Sequence, residues 1–527
     1  MINRFLLGIF ATSITCCATA SQPEISGYYL SGPDASLGSP EYYATLNNLE
    51  RLADNIESTN SSNFNKLILS FVQPSLKFYN PSIESLQCTG LFGTYCDSEP
   101  SQIDIALEIE NFFRLQNVIQ RLKNRGVETY LALGGWNFSC DPEYYDITTG
   151  KQNACGPEGA QYDTFPNPLS DHPRFEHPYT VAEAKESYAK VVHLAAQLGA
   201  SGIDIDYEEF WHADMNAFEW KITPDTAPPS TGIEYISTNN LIDAGKGGYI
   251  YNSDGQLIGD QGLPRVMPET VDKFAAIIRE LKASIERIAP DLKLSMAAPA
   301  AGAIPNMSAN WGTNAQTVST YGGAWWGGNL YGLIYNTALM YPQEIDALTS
   351  IGIMSYDLSE TDCDTSDGGA VEGSFIPCDL AGQEKFYYGT FITWLKSGAH
   401  SLVADGQGSP EHAIIKGAPS YAQNSIQPKK LLIAPTINVG FEVGQPATGS
   451  LVLQHDALEE ILNHVAKGGK TGMIMWDLFK DMRFDQNNWQ ASWATPQEVL
   501  KRSCEIMQLS GDEYDCNTQI LTPPLQH

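Results

Sequence analysis

The sequence predicts an α/β fold, a (β/α)8 barrel with long insertions after strands 3 and 4. Three observations carry this expectation: eight short β-rich runs, amphipathic helical stretches between them, and polar residues at the C-terminal ends of at least four runs. Strands that alternate with helices pair in parallel, because a parallel connection needs a crossover of helical length. Eight such units close a barrel whose strand ends converge on one mouth. A doubly wound open sheet is the competing architecture, and it does not gather so many strand ends in one place.

The eight runs lie at 25–30, 67–72, 128–133, 202–207, 292–297, 351–356, 430–435 and 472–476. Helical periodicity is clearest where Val271, Phe274, Ile278, Leu281, Ile285 and Ile288 share one face. Other helical patterns cover 46–56, 109–122, 182–198, 385–395 and 456–466, and Gly126, Gly199 and Gly398 suit left-handed caps at helix ends. The long segments 136–180 and 211–268 are rich in Gly, Pro, Asn, Asp and aromatics, as loops that wall a cleft are. The connection 300–343 holds Trp311, Trp325, Trp326 and Tyr341, whereas little intervenes between Pro435 and the helix near Asp456.

Residues 1–20 read as an export signal: Arg4, then the apolar run 5–11, then Ala18-Thr19-Ala20 as a cleavage site, so that the mature chain begins at Ser21. The expected organisation is therefore 1–20 leader, 21–510 barrel and 511–527 C-terminal tail, with an extracellular or periplasmic destination. Of ten cysteines, Cys16 and Cys17 fall in the leader. The other eight form near neighbours, Cys88 and Cys96, Cys140 and Cys155, Cys363 and Cys378, Cys504 and Cys516, and point to disulfides whose pairing the sequence leaves open. Asn60, Asn137 and Asn306 each open a glycosylation acceptor pattern, which matters only in a eukaryotic host. A net charge of −31 argues against nucleic acid or an anionic membrane as partner, and it is compatible with a neutral polysaccharide.

The most informative segment is Ser201-Gly-Ile-Asp-Ile-Asp-Tyr-Glu208. Side chains alternate across a strand, so Asp204, Asp206 and Glu208 emerge together, each ~6.6 Å from the next, while Ile203 and Ile205 face the other way. Three carboxyls on a buried face cannot all ionise cheaply. That crowding raises at least one pKa and keeps a carboxylic acid protonated near neutral pH. Glu208, at the mouth end, is the candidate acid. A buried polar network or a solvated acidic edge competes, but the interleaved isoleucines mark a buried strand. Carboxylates on one strand diverge too little to surround a hard cation, and no His-Glu-x-x-His spacing occurs, so neither a metal nor a cofactor is expected.

At 202–208 the sequence resembles the signature of family 18 glycoside hydrolases, the chitinases and endo-β-N-acetylglucosaminidases, written Asp-x-x-Asp-x-Asp-x-Glu. Ser201 stands where the first Asp belongs. The resemblance continues in Leu131-Ala-Leu-Gly-Gly-Trp136, similar to a Ser-x-Gly-Gly element with Ala132 replacing the Ser. It extends to Ser295-Met-Ala-Ala-Pro299, Met354-Ser-Tyr-Asp357 and Met473-Ile-Met-Trp476 on later strands.

The resemblance implies an endo-acting, substrate-assisted and retaining hydrolase in which no protein nucleophile is needed. Glu208 protonates the leaving oxygen, Asp206 orients the substrate's acetamido group, Asp204 tunes Asp206, and Tyr356 donates to the acetamido oxygen. Substrate contacts are expected from Asp357, Met354, Trp476, Gly135, Trp136 and Phe71, with Trp476 flooring the cleavage subsite. Chitin or N-acetylglucosamine oligosaccharides are the expected partners of a monomer. An endoglycosidase acting on the chitobiose core of N-glycans uses the same chemistry. A non-catalytic lectin on the same barrel fits less well, because Glu208, Asp206 and Tyr356 are all present.

Overall fold

Eight parallel strands close on themselves in sequence order, each hydrogen-bonded to its neighbours and β8 back to β1. The computed structural model describes residues 22–32, 40–96, 105–135, 165–169, 180–208, 268–303, 333–358, 377–397, 431–447, 449–468, 471–480 and 489–521. The strands are β1 Ile25–Leu30, β2 Lys66–Val72, β3 Glu128–Gly134, β4 Gly202–Asp206, β5 Lys293–Pro299, β6 Ser350–Met354, β7 Thr436–Glu442 and β8 Gly472–Trp476. Around them run α1 Pro40–Thr59, α2 Ile105–Lys123, α3 Val181–Leu198, α4 Pro268–Ile288, α5 Leu333–Met340, α6 Leu380–Phe391, α7 His455–Lys467 and α8 Pro496–Met507. Residues 1–20, most of the segments 136–180 and 211–268, and Trp311, Trp325, Trp326 and Gly398 lie outside the described residues.

Local chemistry sets the phase of the strand that matters most. Thr180 caps α3 by accepting from the Glu183 N–H, while the Glu183 carboxylate accepts from the Thr180 N–H. Gly199, at φ 75°, ends the helix in a left-handed turn that a side chain would strain. The ladder resumes at Gly202, so even-numbered residues of β4 face the barrel interior. Ile203 and Ile205 face the helices and are fully buried there.

The seventh strand corrects the sequence reading. Residues 431–435 are not a strand, and β7 begins at Thr436, immediately after the expected run ends. Leu432 is 77% exposed, and Pro435 has no N–H to give a ladder. The carbonyls of Ile433, Ala434 and Pro435 are instead satisfied by Lys396 Nζ at 3.1, 2.7 and 2.7 Å. The true strand is poorly hydrophobic on its inner face, which carries Asn438, Gly440 and Glu442, and so it lacks the expected apolar run.

Inside the barrel the N-terminal end carries a charged layer. Lys66, 2% exposed, donates to Glu24 Oε1 at 3.1 Å and to Ser295 Oγ at 2.9 Å, and lies 4.0 Å above the Tyr130 ring. Glu24 Oε1 also accepts from Ser350 Oγ at 2.8 Å and from Asn438 Nδ2 at 2.7 Å. A buried ammonium is tolerable only with partners of this kind.

Two disulfides join near neighbours, Cys88–Cys96 and Cys504–Cys516. Cys378 is also bonded, while Cys140, Cys155 and Cys363 fall outside the described residues. Residues 511–521 pack on the barrel's N-terminal side: Tyr514 pairs with Ser62 and donates its hydroxyl to Gly126 O at 2.8 Å, and Ile520 is fully buried. Among the described residues no helix is long and apolar enough to cross a membrane.

Close approach of β7 to β6 yields a first test. A Cβ at Gly440 would lie 1.9 Å from the Ile353 carbonyl oxygen, a backbone atom that cannot rotate away. Gly440→Ala is expected to lower stability by at least about 2 kcal/mol in urea unfolding.

Candidate active site

Strand register assembles the site at the C-terminal ends. Asp204 stands beside Ala132 on β3 and Ser295 on β5, and Asp206 stands beside Gly134 and Ala297. Asp204, Asp206 and Glu208 are all buried, the last only 4% exposed. The three carboxyls therefore share the inner face, as alternation requires, and Tyr207 between them turns outward against Phe165 and Phe274 at 5.0 and 5.2 Å.

Asp204 is the best-compensated of the three. It accepts from Tyr28 Oη at 2.5 Å and from Ser295 Oγ, which itself accepts from Lys66. Burial raises its pKa above the usual value, and Lys66, Ser295 and Tyr28 offset only part of that rise. Asp206 has only the hydrogen bond from Glu208 to pull it down. Burial first, and then the Asp204 charge, push it up to about 7. Glu208 rises further, through burial, the charge of Asp206, the hydrogen bond between the two carboxyls, and Asp357. The pair thus holds a proton near neutral pH, more tightly on Glu208. Asp206 Oδ1 and Glu208 Oε2 are buried without a partner.

Tyr356 follows β6 and keeps the inward parity of Met354. Burial raises its hydroxyl well above the usual value, followed by the charges of Asp206, Glu442, Glu208 and Asp357, so it remains a neutral donor among carboxyls. Asp357 is half-buried with φ 57°. Met354 is buried beside Pro299, on the last rung that β5 and β6 share.

An aromatic stack closes the opposite side. Phe71 lies on Trp476 with ring centroids 5.7 Å apart and planes at 24°, and the Tyr28 ring meets Trp476 edge-on at 5.6 Å. A Cβ at Gly135 would lie 2.3 Å from the Phe71 ring, so only glycine leaves the stack its seat. The Gly135 N–H also donates to Asp206 O at 2.9 Å and pins the end of β4. Of the expected site residues, Asp204, Asp206, Glu208, Tyr356, Asp357, Trp476, Phe71 and Gly135 gather at the barrel's C-terminal end, and Trp136 falls outside the described residues.

Sequence reasoning assigned no role to Tyr28, Lys66, Ser295 or Glu442. Tyr28 and Lys66 had a usable signal, an inward position on a strand whose neighbours are apolar. Glu442 was hidden by the misplaced seventh strand. Among the described residues no group of three or more His, Cys, Asp or Glu is arranged to hold a metal ion.

No family model matches the chain, and no curated protein matches it. Similar solved structures include a family GH18 chitinase from Chromobacterium violaceum, at 12% identity and TM-score 0.39, covering 93% of this chain and 84% of that one. A GH18 chitinase from Pseudoalteromonas aurantia follows at 12% and 0.37, covering 92% and 99%. Catalytic domain 2 of the Group II chitinase of Ostrinia furnacalis stands at 13% and 0.37, covering 93% and 98%.

The shared proton has a measurable consequence for stability. Unfolded aspartate titrates near ~3.9, whereas native Asp206 keeps its proton until about 7. Between those values the native state binds more protons than the unfolded one, so this group's contribution to stability falls as pH rises. The melting temperature of wild type is expected to drop relative to Asp206→Asn between pH 4 and 7, as calorimetry at several pH values can check.

By its own coordinates and residues, the chain is a closed (β/α)8 barrel that resembles the family 18 glycoside hydrolases in the sequence of β4 and of its neighbouring strand ends.

Proposed function

We propose that this chain is a glycoside hydrolase that cleaves β-1,4-linked N-acetylglucosamine polymers internally, with chitin as its first substrate. The observation that carries the reading is the carboxyl pair: Glu208 holds a proton near neutral pH, hydrogen-bonded to Asp206, in a buried cluster with Tyr356. A neutral carboxylic acid in a desolvated site is the donor a glycosidic oxygen needs as its bond breaks.

The chemistry follows from the substrate's own acetamido group. Its carbonyl oxygen attacks the anomeric carbon as Glu208 gives its proton to the leaving sugar, and an oxazolinium ion forms. Asp206 accepts from the acetamido N–H as positive charge develops there, and Asp204, which raises Asp206 from one rung below, tunes that carboxyl. Tyr356 donates to the acetamido oxygen. Glu208, now ionised, takes a proton from the water that opens the ring, so the anomeric configuration is retained. Trp476, flanked by Phe71, offers an apolar face for the sugar at the cleavage point. Asp357 supports that sugar.

A second reading is favoured by one specific feature. Only residues 443–454 separate β7 from α7, which leaves the cleft shallow on that side and suits the branched core of an N-glycan. The leader-like residues 1–20, with the disulfides, support export to an oxidising compartment.

Glu208→Gln is expected to lose at least about 100-fold in kcat while still binding oligosaccharide. Retained turnover discards the mechanism. Asp206→Asn is expected to lose a similar factor, read in the same assay. Substrate choice is settled by comparing chitin oligomers with an N-linked glycoprotein: release of N-acetylglucosamine oligomers is expected, and cleavage of the glycoprotein alone reassigns the substrate.

A further inference from the structure

The acid, the acetamido-orienting pair and the hydroxyl donor account for bond cleavage, yet one more buried carboxyl stands at the same end of the barrel. On β7 the inner face carries Asn438, Gly440 and Glu442. Asn438 reaches Glu24 at the N-terminal end, and Glu442, four residues on, lies at the opposite end on the rung beside Trp476. On its other side β6 leads into Tyr356 and Asp357. Glu442 is 5% exposed, so its environment is protein and whatever occupies the cleft.

The two oxygens of this carboxyl differ sharply. Oε1 accepts from the Lys480 ammonium and from the Ala447 N–H at 3.3 Å. Oε2 is buried with no partner. Native structures seldom leave a buried carboxyl oxygen unpaired unless a water, an ion or a ligand completes it. Burial and the Asp357 charge push Glu442 up to about 8 against the pull of Lys480, and Oε2 is the oxygen left open to a partner in the cleft. Lys480, itself buried just beyond β8, fixes the side chain by its other oxygen.

We propose that Glu442 is a substrate-binding residue whose Oε2 hydrogen-bonds a hydroxyl of the sugar seated on Trp476, and that Lys480 is the positioning residue that holds the carboxyl for it. The assignment rests on the glycosidase reading and adds a polar contact to the apolar floor of the cleavage subsite. A flat aromatic face accepts many sugars in many rotations. A fixed hydrogen-bonding partner one strand away selects a sugar with a hydroxyl in the matching position.

The test measures binding of a β-1,4-linked N-acetylglucosamine tetramer by calorimetry in a Glu208→Gln background, which stops turnover. Removing Glu442 alone strands a buried ammonium, so the informative variant is the double change Glu442→Leu with Lys480→Met, checked for folding by its melting temperature. Binding at least about tenfold weaker is expected, while Glu442→Gln, which can still donate and accept at that position, stays within about threefold of the parent. A double variant that binds as tightly as the parent overturns the assignment, because the carboxyl then serves only its lysine. Should the double variant not fold, Glu442→Asp keeps a carboxyl beside Lys480 and shortens the arm by one methylene. This variant, which retains a carboxyl group beside Lys480 whatever its proton state, is expected to bind at least about tenfold weaker, and unchanged affinity overturns the proposal. A parent that binds no such oligomer overturns the glycosidase reading and this assignment together, whereas a binding parent with an equal variant overturns this assignment alone.

Discussion

Everything at the mouth of this barrel depends on how the charge beneath it is balanced. Lys66 stands inside the N-terminal end, and through Ser295 and across a short distance it favours the ionised form of Asp204, aided by the Tyr28 hydroxyl. The next carboxyl up the same strand then meets a negative neighbour and a low dielectric at once, and the one after it meets both again. A single cation placed low in the barrel thereby pulls against the burial that raises Asp204, while the two carboxyls above it share a proton. Backbone geometry alone would not make that distinction, since the ladder positions are equivalent by parity.

The architecture was legible because its signals are local. Alternation at 202–208, the 3.6-residue stripe from Val271 to Ile288, and Gly199 as a helix stop all reappear where short-range chemistry put them. The seventh strand was not legible, because its inward positions serve the charged layer and the mouth, and a strand that faces polar groups on its inner side lacks the expected apolar run. The run before it, Leu431 to Ala434, looks like a strand by composition, yet it is held by the ammonium of Lys396 and has no ladder. Helix α8 was missed for a related reason, since its apolar positions are few and its anchorage comes from a disulfide and from the segment that follows it.

The candidate site shows the same division. Residues that act through one strand, such as Asp204, Asp206 and Glu208, could be read from spacing. Residues that act through a partner on another strand could not, because Lys66 and Asp204 are far apart in sequence and meet only when the barrel closes. The exchange of Ser for Ala132 beside Asp204 illustrates this: the hydroxyl absent from β3 has a counterpart in Ser295 on β5, the other neighbour of that same rung.

The packing of residues 509–521 bears on how the molecule can be handled. Gln22, just ahead of β1, donates to the Ser510 carbonyl at 2.6 Å, and the following stretch runs past Ser62 and Gly126 before Ile520 is buried beside α1 and α8. Both edges of the seam between the first and last strands are therefore stitched together on the side away from the carboxyls. Tethering to a bead or a surface through this end leaves the carboxyl-bearing mouth of the barrel turned toward solution.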